Sequence, residues 1–329
     1  MITRKSTFIT LFLFALAISG LALITPNSSQ AQRSAITGDW RIEFTRKDAN
    51  EVQLTIMLGS EPKSQNWGSG IAISDVQGLS SAYASGSYPS VTLRVSREAG
   101  TLDLVGSFNA GKGQGRFTLT PNESFFAALA ARGYGNLTDK QVFSAVMANM
   151  KIASIDELKA AGYDGLTFNK LIEASIFNVN TALIADLRSA GFDQLPFNKL
   201  VEARIFKVDA AFAQQAESYG FGKLPFNKLV ELRVHKISPE YINEIQQMGF
   251  RDLNLNRVVE FKIFQINPQF VSDVRAAGFP SITPQQLVNL RVFKIDGDFI
   301  RQAKSQNPSI TIEQLVEMRI HARKGEAFQ

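Results

Sequence analysis

The sequence predicts an α+β chain of more than one domain: a small antiparallel β domain followed by an α-solenoid of about seven 29-residue helical hairpins. Two periodicities predict it. Gly133, Gly162, Gly191, Gly220, Gly249 and Gly278 stand 29 residues apart, each followed by Tyr or Phe, and equal intervals of that length mark one unit stacked repeatedly on itself. Ahead of residue 123, apolar and polar residues alternate, the period of strands that bury one face and wet the other.

Taken in order, the chain opens with Arg4 and Lys5, an apolar run from Phe8 to Ile24, and polar residues ending at Ser29-Gln30-Ala31. A basic start, an apolar middle and small residues before a cut predict a signal peptide over 1–31, cleaved after Ala31, with a short linker at 32–36. The alternative is an uncleaved anchor, although the apolar run of 17 residues falls short of the roughly 20 that a span needs. No later stretch is apolar enough to cross a bilayer. The expected location is periplasmic or extracellular. There is no Cys, so the exported chain has neither disulfides nor a thiolate nucleophile, which a chain large enough to bury a core does not require. Of 35 basic residues two lie in the leader, leaving 33 against 30 acidic ones; so even a balance gives no electrostatic case for nucleic acid.

Residues 37–122 form the predicted β domain. Trp40 to Phe44, Val52 to Ile56, Val91 to Val95, Leu102 to Leu104 and Phe117 to Leu119 alternate as half-buried strands do, with Gly, Ser, Asn and Asp clusters between them, at Lys47 to Asn50, Gly59 to Gly70, Ser80 to Ser90 and Asn109 to Gly115. A sheet or sandwich of five to seven strands is expected. Gly106 to Gly113 is close to a phosphate-binding loop, but Gly113 stands where a magnesium-holding hydroxyl belongs, and the stretch runs into a strand rather than a helix. It predicts a Gly-rich hairpin. Trp40 is expected in the core and Trp67 in a loop.

Residues 123–323 form the predicted solenoid and 324–329 a tail. Asn180, Asp209, Ser238, Asn267 and Asp296 recur at the same interval, eleven residues before each glycine position. They predict N-caps, and Pro239 and Pro268 follow two of them at the first helical position. Leu183, Phe212, Tyr241, Phe270 and Phe299, with Leu187, Ala216, Ile245, Val274 and Ala303 a turn on, give the first helix of each unit its inner face. The glycine then stops that helix in the left-handed conformation, a role that passes to Asn307 in the last unit, which is one residue shorter. The second helix starts at Phe197 or its equivalents and is expected to turn Leu200, Val201, Ile205 and Val208 inward. The matching sets are Leu171, Ile172, Ile176 and Val179; Leu229, Val230, Val234 and Ile237; Val258, Val259, Ile263 and Ile266; Leu287, Val288, Val292 and Ile295.

Polar positions repeat as well, and rows on a stacked array become ladders along its surface. Glu173, Glu202, Glu231, Glu260 and Glu317 form one row, Arg204, Arg233, Lys262, Arg291 and Arg319 another, and Lys170, Lys199, Lys228 and Arg257 a third. Phe206, His235, Phe264 and Phe293 make a further row beside the main stripe. These rows are either mutual pairing and inter-unit packing or a face that binds a partner. No catalytic, cofactor or metal site is expected: the two histidines fall in no H-E-x-x-H run, Glu231 and His235 offer no third ligand, and no Ser sits in G-x-S-x-G.

Two groups of residues carry a resemblance. Glu51 to Ile56, Arg97 to Leu102 and Gly113 to Asn122 resemble the β region, and Leu229-Val230-Glu231-Leu232-Arg233-Val234-His235-Lys236-Ile237-Ser238-Pro239-Glu240-Tyr241-Ile242 resembles the helical repeat, of the exported tails of bacterial membrane sensor metallopeptidases related to β-lactam-sensing antirepressors. The peptidase motif and its membrane helices are absent, and the histidine of that repeat occurs only as His235 and His321. The resemblance therefore implies a tail module standing alone, with no catalytic residue carried over. The expected function is a non-enzymatic, exported interaction scaffold in envelope sensing, with a protein or envelope component as partner; the alternative is a small-ligand or glycan binder using the β domain.

Overall fold

A computed structural model describes residues 35–44, 50–59 and 65–324. The predicted signal peptide and the tail from 325 lie outside the described residues.

Six strands form one antiparallel sheet: β1 (Ile36–Phe44), β2 (Glu51–Leu58), β3 (Gln65–Ala72), β4 (Ser87–Arg97), β5 (Gly100–Asn109) and β6 (Lys112–Pro121). Their order is β3-β2-β1-β6-β5-β4. Two three-stranded meanders thus meet where β1 pairs β6, with Trp40 opposite Ile56 on one side and Gly115 on the other. The alternation of apolar residues is the reason for this layout. Trp40, Ile42, Leu54, Ile56, Leu93, Leu102, Leu104, Phe117 and Leu119 share the buried face, while Thr37, Arg41 and Thr118 point to water.

Glycine removes side chains where this sheet closes most tightly. Phe108 lies over Gly113 on the neighbouring strand, where a Cβ would sit 2.3 Å from its ring, and Gly106 faces Gly115 with room for neither side chain. The indole of Trp40 donates to the carbonyl of Val105 at 3.2 Å. The Gly-rich stretch between β5 and β6 is the tight hairpin that the sequence indicates, turning at Ala110 and Gly111. One expectation fails here. Trp67 is half-buried within β3 rather than in a loop, because Gln-Asn-Trp-Gly-Ser-Gly forms an edge strand whose glycines hide its alternation.

Fourteen helices follow among the described residues: α1 (Glu123–Ala131), α2 (Asp139–Met147), α3 (Ile152–Ala160), α4 (Phe168–Ile176), α5 (Thr181–Ser189), α6 (Phe197–Phe206), α7 (Ala210–Ala216), α8 (Phe226–Val234), α9 (Pro239–Gln247), α10 (Leu255–Ile263), α11 (Pro268–Ala276), α12 (Pro284–Val292), α13 (Gly297–Gln306) and α14 (Ile312–Lys324). Asn180, Asp209, Ser238, Asn267 and Asp296 each cap the amide three residues on. After α3, for example, Gly162 takes φ 98° and its N–H bonds to Lys159, while the N–H of Tyr163 reaches back to Leu158 at 3.0 Å. That pair of bonds satisfies carbonyls the helix end would leave open. Packing alternates: α5 lies against α7 and α11 against α13, while α6 lies against α8 and α10 against α12.

Lys151 gives α3 no side-chain cap. The carboxylate of Glu98, from the turn between β4 and β5, accepts the Ile152 N–H at 3.1 Å instead, and the Glu98 carbonyl accepts from Asn122, the cap of α1, at 2.9 Å. With Phe143 of α2 near Phe117 of β6, centroids 6.3 Å apart, the sheet is thereby joined to the first helices.

The structure corrects three further expectations. Asn307 is extended, at φ −136°, and holds Ser309 through its side chain rather than adopting the left-handed stop; the missing residue of that unit is absorbed there. α7, expected to run up to its glycine, ends early at Ala216 and passes into a wide π-type turn, Glu217–Phe221, inside which Gly220 still takes the left-handed stop at φ 88°. The third correction concerns Ile176, Ile205, Val234, Ile263 and Val292, which were expected to face inward. They are the exposed aliphatics of their helices, between 43% and 54% accessible. The inward places belong to Ala174, Ala203, Leu232, Phe261 and Leu290, two residues earlier. A 3.6-residue period sends positions i and i+2 to opposite sides, so only one set can be covered.

Candidate interaction surface

The second helices carry every polar row singled out in the sequence, and the structure shows what each row touches. Lys199 pairs with Glu202 at 2.8 Å and Lys228 with Glu231 at 2.6 Å, and Arg257 pairs with Glu260 in the same way, one helical turn apart. Two of these cations also reach the next second helix: Lys228 donates to Asn256 and Arg257 to Gln285, both at 2.8 Å. Such half-exposed pairs add about 0.3–0.5 kcal/mol each, but they join neighbouring helices.

The basic row is engaged within the chain too. Arg233 lies over the ring of Phe212 at 3.6 Å, Lys262 over Tyr241 at 4.0 Å, Arg291 over Phe270 at 3.8 Å and Arg319 over Phe299 at 4.1 Å. The cation comes from a second helix and the ring from the first helix just before it. The same cations reach further back: Arg291 donates to the carbonyl of Gln265 at 2.9 Å and Arg319 to that of Lys294 at 3.1 Å. For Arg204 the matching register of the first helix holds Leu183 in place of a ring, and Arg204 bonds to the carbonyl of Asn178 at 3.0 Å and the side chain of Asn180 at 3.3 Å. Burial holds the Arg291 guanidinium below the usual arginine range. Stacked, partly desolvated cations of this kind contribute about 0.5–2 kcal/mol each. Charge reversal in this row therefore acts on stability as well as on any partner.

Phe206, Phe264 and Phe293 are half-buried and pack against the core. His235 takes the matching place after α8, its backbone N–H bonded to Glu231 at 3.0 Å. Between the basic row and this aromatic row stands the set that sequence reasoning placed inside: Ile176, Ile205, Val234, Ile263 and Val292. The following turns hold Asn178, Lys207, Lys236, Gln265 and Lys294, all exposed and all left-handed, at φ 51–56°. This second recurring stop was missed. Its signal was the absence of β-branched residues at one position of the period, which only a search of every column would reveal.

Among the described residues no group of His, Asp and Glu is arranged to hold a metal, and no helix is long and apolar enough to cross a membrane. Two concave places among the described residues are open depressions, one beside Met248, Pro268, Val271 and Arg275 and one beside Asn50, Ile73, Leu79 and Ser81. Tyr241 is buried with its hydroxyl unpartnered, and burial raises its pKa beyond the phenol range. Comparison with known families, with curated proteins and with solved structures finds no match.

Proposed function

We propose that this chain is an exported, non-enzymatic interaction scaffold: a solenoid of seven 29-residue hairpins, set on the β domain, that presents a protein or envelope partner with a repeated surface. The single observation carrying this reading is the recurrence of an exposed Ile or Val at one register of five successive second helices. Isolated exposed aliphatics need no explanation, whereas an ordered row of them is the kind of apolar surface that marks an interaction site. The leader supports export, and the resemblance to exported sensor tails supports a place in envelope signalling. For the alternative, ligand binding inside the β domain, there is less support, because Trp40, Phe108, Phe117 and the leucines around them fill the sheet's inner face.

The test is photo-crosslinking in the envelope of producing cells, with the reactive group placed in turn at Lys207, Lys236 and Lys294. One recurrent partner band from these positions, absent when the group is placed at Thr118 on the outer face of β6, is the expected outcome. Crosslinks no different from the Thr118 control would sink the reading.

A further inference from the structure

The exposed row has a chemistry narrow enough to define what it binds. Each rung is one β-branched aliphatic, and the rows beside it are basic: Arg204, Arg233, Lys262 and Arg291 just before the rungs, Lys207, Lys236 and Lys294 two residues after. Of the acids nearby, Glu173 beside Ile176 is exposed, and the others are already engaged. Asp209 and Asp296 cap the amides of Phe212 and Phe299, and Glu202, Glu231 and Glu260 pair with Lys199, Lys228 and Arg257. The surplus charge along the row is positive.

Spacing narrows the partner further. Packed helices lie about 8–10 Å apart, and α6 packs on α8 as α10 packs on α12, so rungs on successive second helices recur at about that distance. A polyproline-like chain rises roughly 3.1 Å per residue with three residues per turn, and so returns every third side chain to one face at about the same interval, which a strand, alternating its faces, does not. A docked helix would need a broad apolar stripe of about 100°, and this row is one residue wide. A second copy of the chain would set basic rows against basic rows across a two-fold axis. For a lipid surface the row lacks the Trp and Leu that anchor interfacial faces.

We propose that the row Ile176, Ile205, Val234, Ile263 and Val292 docks an acidic polypeptide segment in a polyproline-II-like conformation with an apolar side chain at every third position. This rests on the scaffold reading and names the chemistry of its partner.

The test uses the full chain and a fluorescein-labelled peptide of repeated Ile-Asp-Glu triplets, followed by fluorescence anisotropy. A control peptide has the same composition with its Ile residues at every second position. The triplet peptide should bind the full chain, and the control roughly tenfold more weakly, a difference of about 1.4 kcal/mol. Binding should fall by a similar factor in the triple variant Ile205→Asp, Val234→Asp, Ile263→Asp, and in Lys207→Glu, Lys236→Glu, Lys294→Glu, which keeps the rungs and reverses the charge beside them. Thermal melts of both variants report whether the fold is retained, and the charge variant carries the test if the aspartates unfold the chain. Equal affinity for the two peptides, no binding, or undiminished binding by the variants overturns the proposal. So does row-dependent sedimentation with phosphatidylglycerol vesicles, or row-dependent dimerisation in the ultracentrifuge, either of which assigns the row another occupant. If the crosslinked partner persists while the peptide result fails, the scaffold reading stands and only the partner chemistry is wrong; loss of the crosslinks sinks the scaffold reading itself.

Discussion

At the scale of single residues, two positions of the 29-residue period adopt a left-handed backbone in every repeat before the last, and they are filled differently. Gly162, at φ 98°, has nothing within 4 Å of where a Cβ would stand, so Gly162→Ala tests conformation without a clash and should cost roughly 1 kcal/mol. Lys236 adopts φ 52° with a full side chain, and Lys236→Gly should raise the melting temperature by relieving the same strain, less the entropy of the added glycine. Calorimetry on the two variants checks that the signs are opposite. The first stop was legible because glycine fills it from Gly133 to Gly278; the second was not, because Asn, Lys and Gln share it and only their backbone is alike. Tyr241 offers another test at this scale. Its raised pKa comes first from burial, so the stability it contributes is fully present below the ordinary phenol value of about 10 and is lost as pH rises toward the folded value. Tyr241→Phe, the residue at the equivalent Phe212 and Phe270, should leave the neutral melt unchanged or higher, since it removes an unpartnered buried hydroxyl, and should flatten the alkaline decline. A decline as steep as in the wild type would contradict this.

At the scale of elements, each second helix is nine to thirteen residues long with apolar residues on more than half of its circumference, and that is why period alone chose the wrong face. In α10, Phe261 is fully buried and Ile263 is 51% exposed. Phe261→Ala should cost about 3–5 kcal/mol through the cavity it leaves, and Ile263→Ala within about 0.5 kcal/mol; chemical denaturation of both checks the orientation of the helix. The starts of α5, α7, α9, α11 and α13 were legible, because a cap side chain and a first-turn Pro are local chemistry. The basic row was visible as a row, but its purpose was not. Whether a guanidinium faces water or covers a ring twenty-one residues earlier, as Arg233 covers Phe212, depends on how two helices pack.

At the scale of the whole molecule, the sheet and the helices are joined at Glu98, a tie between positions far apart in sequence that no local pattern announces. Glu98→Ala removes the acceptor for the first amide of α3 and should cost about 1 kcal/mol, the typical worth of an N-cap. Hydrogen exchange should accelerate in α3 while the amides of β1 and β6 keep their protection; no change in α3 would show the contact to be without consequence. The division into a β region and a helical region was legible from the change of period near residue 123, and the edge strand around Trp67 was not, since glycine at two of its eight positions erased the alternation.

The paired stops have a consequence for how such a chain changes length. Because both recur at one interval, duplication or loss of a 29-residue segment between Asp209 and Gly278 keeps the caps, rings and guanidinium or ammonium groups of that stretch in register with one another. The array can therefore be extended by copying, with no new interface to invent, whereas gaining or losing a single residue must be taken up in a turn, as it is at Asn307. The number of copies is then open to selection independently of the sequence within any one of them.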